Sequence, residues 1–166
     1  KGEDIALGDL DGDGFLDVVF ALENLPDSAC LNRGDGGFAD CQPVQAVDTD
    51  TDGVALGDLD GDGLLDAVFA RNSGLNGTVN VFCPGRGDGG FDACLPVDDT
   101  GASLDVALAD VDRDGDLDVL FANVLGPNRL CRNQGNRRFA CADLGTTDGQ
   151  TQAVAGGVVL LAQPFQ

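Results

Sequence analysis

Four residue types are missing from this chain altogether: it has no His, Trp, Tyr or Met. Without histidine there is no imidazole to titrate near neutral pH, which excludes His-based general acid–base chemistry and His-ligated zinc. Basic residues are scarce, nine Lys and Arg against 29 Asp and Glu, for a formal net charge of −20. Such a chain is repelled by nucleic acid and by anionic membranes, so neither is expected as a partner. There is no run of about 18 apolar residues, and Val158–Ala162 is only a short one, so no membrane insertion by a helix is expected. No convincing 3.6-residue period occurs either, so helices are not expected. CxxC spacing, a Ser-His-Asp set and a phosphate-binding loop are all absent. The chain begins at Lys1 with no initiator Met and no leader-like segment, so it reads as a mature product or a portion of something longer.

What is present is a 166-residue chain, one domain's worth, with 43% apolar residues. That is too apolar for a disordered acidic tail. Its organising stretch is Asp9-Leu-Asp11-Gly-Asp13-Gly14-Phe15-Leu-Asp17. The pattern recurs as Asp58-Leu-Asp60-Gly-Asp62-Gly63-Leu64-Leu-Asp66 and as Asp110-Val-Asp112-Arg-Asp114-Gly115-Asp116-Leu-Asp118. Carboxylates stand at positions 1, 3, 5 and 9 of each copy, with glycine at position 6.

Clustered carboxylates repel one another unless a cation sits among them, and hard oxygen donors at alternating spacing suit Ca²⁺. The glycine permits the sharp turn that returns the later ligands to the ion. By analogy with an EF-hand loop, position 7 would add a backbone carbonyl, from Phe15, Leu64 and Asp116. Unlike an EF-hand, the loop ends in Asp at position 9 and runs directly into β-formers such as Val18-Val19-Phe20. Metal-free Asp/Gly turns are the bland alternative. Three copies that keep the same four positions while neighbours drift favour three Ca²⁺ sites.

Six cysteines fall at one place in each repeat: Cys30 and Cys41 eleven apart, Cys83 and Cys94 eleven apart, Cys131 and Cys141 ten apart. Local bridges, one per repeat, are expected. Three disulfides imply an oxidising compartment, hence an extracellular, secreted or cell-surface protein where Ca²⁺ is plentiful. The alternative is six buried free thiols in the cytosol.

The repeats come about 50 residues apart. Each begins with a small-residue strand, such as Ile5-Ala-Leu-Gly8, Val54-Ala-Leu-Gly57 or Val106-Ala-Leu-Ala109. The acidic loop follows, then a more apolar strand over 16–21, 65–70 and 117–122, and then a Gly-rich hairpin between the cysteines. The Phe after each hairpin turn, Phe38, Phe91 and Phe139, is expected to pack between neighbouring repeats. About four short antiparallel strands per repeat is the pattern of a propeller blade, so the fold class is all-β with propeller-type blades. The blades fall near 3–47, 52–97 and 104–144. The tail at 150–163 resembles the first two strands of a fourth blade, with its acidic loop reduced to Gly156-Gly157.

These residues resemble FG-GAP/VCBS-type repeats over about 3–143. Such repeats form the calcium-loaded blades of integrin α-subunit propellers and of many secreted bacterial and fungal proteins. The resemblance implies metal ligands at Asp9, Asp11, Asp13 and Asp17 and at their counterparts in the other two repeats. The regular intra-blade cysteine pair departs from the family, and the FG-GAP portion itself is degenerate.

Three blades and a half leave apolar blade faces open, because propellers use about four to eight. The chain is therefore expected to self-associate into an oligomer or filament; a portion of a longer propeller, or a small imperfect ring, would also cover those faces. Two Arg-Gly-Asp triplets, Arg33–Asp35 and Arg86–Asp88, could be adhesion loops but read more simply as tight turns. Asn76-Gly77-Thr78 is a glycosylation sequon, with Asn76 the candidate. No carboxylate pair stands outside the loops in a cleft-like setting, so no catalytic residue is assigned and the chain is read as non-enzymatic. A structural or adhesive role leads. A lectin-like module that binds glycans, or contacts with other surface proteins, is the alternative, weakened by the lack of Trp and Tyr platforms for sugar rings.

Overall fold

The computed structural model describes residues 2–45, 49–72, 79–98, 102–124 and 126–144. Every regular element among them is a β-strand. The first repeat forms β1 (Gly2–Gly8), β2 (Asp17–Leu25), β3 (Ser28–Cys30) and β4 (Gln42–Pro43), paired antiparallel in that order. The second forms β5 (Thr49–Gly57), β6 (Asp66–Arg71), β7 (Asn80–Cys83) and β8 (Leu95–Asp98). The third forms β9 (Ser103–Ala109), β10 (Asp118–Asn123), β11 (Asn128–Asn133) and β12 (Phe139–Leu144). The tail resembling a fourth blade, and Asn76, lie outside the described residues.

The strand sequences explain this arrangement. The second strand of each repeat is a nearly continuous apolar run rather than an alternating one, and every residue of β6 is buried. A strand reads that way only when both of its faces are covered. For β6 the covers are the neighbouring blades on either side. The first and second blades are joined in one curled sheet, where the end of β2 pairs with the start of β5. One core lies between these two blades, where Val19 and Ala21 meet Val54 and Phe69. A second lies between the second and third, where Val68 and Phe82 meet Val106 and Phe121. Sheets stacked face to face in this way are propeller-like blades.

The close approach depends on the glycines that end β1 and β5. A Cβ on Gly8 would sit 2.5 Å from Leu65 Cδ1, and one on Gly57 would sit 2.8 Å from Leu108 Cδ1 and Leu117 Cδ1. Leucines of one blade thus fill the space above the preceding blade's glycine. The first blade has the same leading face, and no described blade packs on it. Ile5 is 57% exposed, against 5% for Val54 and 4% for Val106 at the matching positions. Leu7 and Leu16 are exposed as well. The expectation that all three hairpin Phe residues pack between repeats therefore fails for Phe38, which is 45% exposed against 9% for Phe91. Phe38 lies on the face that no described blade covers.

Polar groups link the blades too. The Asp4 carboxylate accepts from Val54 N at 3.0 Å, and the Thr51 hydroxyl donates to Asp27 Oδ2 at 3.0 Å. Between the second and third blades, Asn80 Nδ2 donates to Ser103 Oγ (2.8 Å), whose hydroxyl donates to Asn123 Oδ1 (2.7 Å).

Candidate metal centres

Each acidic loop connects the first two strands of its blade, β1 to β2, β5 to β6 and β9 to β10. Position 6 holds a positive φ in all three, 90° at Gly14, 86° at Gly63 and 101° at Gly115, which glycine adopts without a Cβ clash. That turn folds the loop around its first aspartate. Asp9 accepts from Gly12 N (2.8 Å) and Gly14 N (3.0 Å), Asp58 from Gly61 N (2.8 Å) and Gly63 N (2.9 Å), and Asp110 from Arg113 N (2.6 Å) and Gly115 N (3.1 Å).

The later positions divide into two kinds. Position 5 accepts from the position 7 amide, Asp13 from Phe15 N (2.8 Å), Asp62 from Leu64 N (2.8 Å) and Asp114 from Asp116 N (3.0 Å). Position 9 is fully buried in every repeat. Asp17 Oδ2 accepts from Leu10 N (2.8 Å) and Oδ1 from Asn32 N (2.7 Å). Asp66 binds Leu59 N and Gly85 N, and Asp118 binds Val111 N and Asn133 N, in the same way. This aspartate therefore stitches the acidic loop to the start of the hairpin turn, a role that spacing alone did not reveal. Its signal is the alternation: position 9 lies where the apolar strand begins, so its side chain points inward.

Carboxylate oxygens lie within 4.8 Å of one another in three sets: Asp9, Asp11 and Asp13; Asp58, Asp60 and Asp62; Asp110, Asp112 and Asp118. Asp17, Asp66 and Asp114 stand outside those sets. Three such clusters can hold a metal, and the all-oxygen donor set at one face of a glycine turn fits a hard cation. In the first two blades the side chain at position 7 packs on the blade's own hairpin turn. A Cβ on Gly34 would lie 2.6 Å from the Phe15 ring, and one on Gly87 2.9 Å from Leu64 Cδ2.

Crowding shows in the proton equilibria. Burial, with like charge from Asp60 and Asp62, lifts the Asp66 carboxyl from 3.8 to about 6, against the pull of its two amide partners. Asp11 and Asp112 are raised as well, by desolvation and by the neighbouring aspartates.

The cysteines are all bridged, Cys30 to Cys41, Cys83 to Cys94 and Cys131 to Cys141, each closing its own blade's hairpin. Together with the fold they fit an oxidising, extracellular setting. No helix among the described residues is long and apolar enough to cross a membrane.

A blade-stacked β fold with an acidic loop after each first strand defines a class of repeat protein, and comparison with known proteins agrees. The FG-GAP-like repeat family matches residues 9–69 and 58–121. The chain belongs to that family. No curated protein matches the chain. Twelve chains of solved structures match it. One is a lectin of Agrocybe aegerita, solved to explain specific recognition of non-reducing terminal N-acetylglucosamine. It is 22% identical with a TM-score of 0.59, and the match covers 87% of this chain but 38% of the lectin. The likeness is one of fold.

Proposed function

We propose that this chain is a non-enzymatic, extracellular, calcium-stabilised FG-GAP-like module with a structural or adhesive role. The observation that carries the reading is the threefold recurrence of convergent carboxylates, one cluster in the acidic loop of each blade. Asp9, Asp11 and Asp13, Asp58, Asp60 and Asp62, and Asp110, Asp112 and Asp118 would hold the ions, with the remaining loop aspartates and the carbonyls of Phe15, Leu64 and Asp116 completing the oxygen set. Bound Ca²⁺ supplies charge neutralisation and cross-links the loop. A ligand that binds only the folded state adds about 2.7 kcal/mol per site at a hundredfold excess over Kd. Exhaustive chelation is therefore expected to lower the melting temperature by many degrees, with recovery on adding Ca²⁺. An unchanged melt rejects the reading.

A groove of about 730 Å³ between the first and second hairpins favours a second form of this function, glycan binding. Leu31 and Phe91 give it an apolar wall, while Arg33, Gln42, Arg86 and Asp88 offer polar groups. The fold it shares with a lectin supports the idea. In the structural form, by contrast, the chain self-associates through the open face of Ile5, Leu7 and Leu16. Native mass measurement followed by a glycan array separates the two. Ordered oligomers that bind no glycan favour assembly, and a monomer that captures sugars favours the groove.

A further inference from the structure

The hairpins of the second and third blades each reach the acidic loop of the blade before. At the first junction Gly89 N donates to Leu10 O at 3.3 Å, and at the second Asn133 Nδ2 donates to Leu59 O at 2.7 Å. The turn residue two places before the hairpin Phe is Gly36 in the first blade, Gly89 in the second and Arg137 in the third. Arg137 aims its guanidinium at the second loop. Its Nε donates to Asp60 Oδ2 at 2.7 Å and its Nη2 stands 2.6 Å from the same oxygen. The Asp60 side chain is left only 7% exposed.

The turn that presents Arg137 lies in the left-handed region. Arg137 holds φ at 61° and Asn136 at 54°, a left-handed conformation that glycine supplies at Gly36 and Gly89. The other two loops are treated differently at position 3. Arg132 Nε stands 3.7 Å from Asp112 Oδ2, a looser and half-exposed pair. Among the described residues no ion pair reaches Asp11. Asp60, Asp66 and Asp92 all bear on the Arg137 guanidinium and keep it charged.

We propose that Arg137 is a tethered cation that competes with the divalent ion at the second loop, so that the three loops fill in the order first, third, second. The inference rests on the calcium reading above. Ca²⁺ at the second loop must either displace the guanidinium from Asp60 or sit beside a positive charge, and both lower its affinity. A unit charge about 5 Å from a dication weakens binding by about tenfold even in a water-like dielectric. When calcium is withdrawn, Arg137 still neutralises the second loop, so the junction between the second and third blades outlasts that between the first and second.

Calorimetric titration of Ca²⁺ into the chelated chain tests this with Arg137→Gln, which removes the charge, and Arg137→Lys, which keeps it. Wild type is expected to show three unequal sites. Arg137→Gln should tighten the weakest about tenfold without changing the number of sites. Arg137→Lys should stay close to wild type, and chelated Arg137→Gln should melt below chelated wild type. Identical isotherms for wild type and Arg137→Gln, with three ions bound, overturn the role of Arg137 and leave the calcium sites standing. An absence of calcium heat in every variant, with a chelation-insensitive melt, overturns both.

Discussion

The two junctions between blades are built from the same apolar parts and differ in a turn. At the first, Gly8 receives Leu56 and Leu65; at the second, Gly57 receives Leu108 and Leu117. Phe69 and Phe121, at matching positions, are both fully buried. The hairpins that close over the acidic loops diverge, with Gly89 at one junction and Arg137 at the other. Blade stacking is therefore a repeated solution to burying apolar area, while the electrostatics of each loop depends on single residues that can drift between copies. Stacking comes from many small contacts and tolerates little change. A charge at a turn alters one site and leaves the core alone.

The largest expected effect breaks the apolar half of that comparison. Phe69→Ala and Phe121→Ala should each destabilise by about 3–5 kcal/mol in denaturant melts, the usual range for a buried Phe. Phe20, at the same position of the first blade, faces the open side and is only half-buried. Its replacement by Ala should cost about half as much or less. An equal cost would mean that the face is covered in solution.

A smaller effect sharpens the electrostatic half. Asp66 titrates at about 6 in the folded chain against 3.8 when free, so the folded state binds the extra proton. Between those values the metal-free protein should gain stability as pH falls, because protonation relieves the buried charge; that gain is complete below 3.8 and absent above about 6. With calcium present the sign reverses, since protons displace the ion. Thermal melts across pH 7 to 4, with and without chelator, should therefore slope in opposite directions. Asp66→Asn should flatten the chelated series. Parallel slopes would show that no ion competes with protons at this loop.

Much of this architecture was legible in the chain. Asp9, Asp58 and Asp110 announced the loops because carboxylates at alternating positions before a glycine have few other uses. The apolar runs Val18–Ala21 and Ala67–Ala70 announced the second strands of their repeats, though only the second run is buried throughout. The cysteine spacing announced the local bridges. Phe38 misled, because its repeat position matches Phe91 while no described blade packs on its face. Asp17, Asp66 and Asp118 read as ligands from spacing, and the structure adds that each holds two backbone amides, whose origin nothing in the spacing shows.

Local pattern alone thus determined the repeat, its strands, its acidic loops and its disulfides, since each is specified within a dozen or so neighbouring residues. Which blade face is covered, which aspartate serves as a clamp and which arginine reaches a loop 77 positions away were decided by tertiary structure alone. The covered faces and the arginine contact join residues from different repeats, which the stacking of the sheets at Gly8 and Gly57 brings into range. The aspartate clamp instead ties a loop to its own blade's hairpin once the strands have paired.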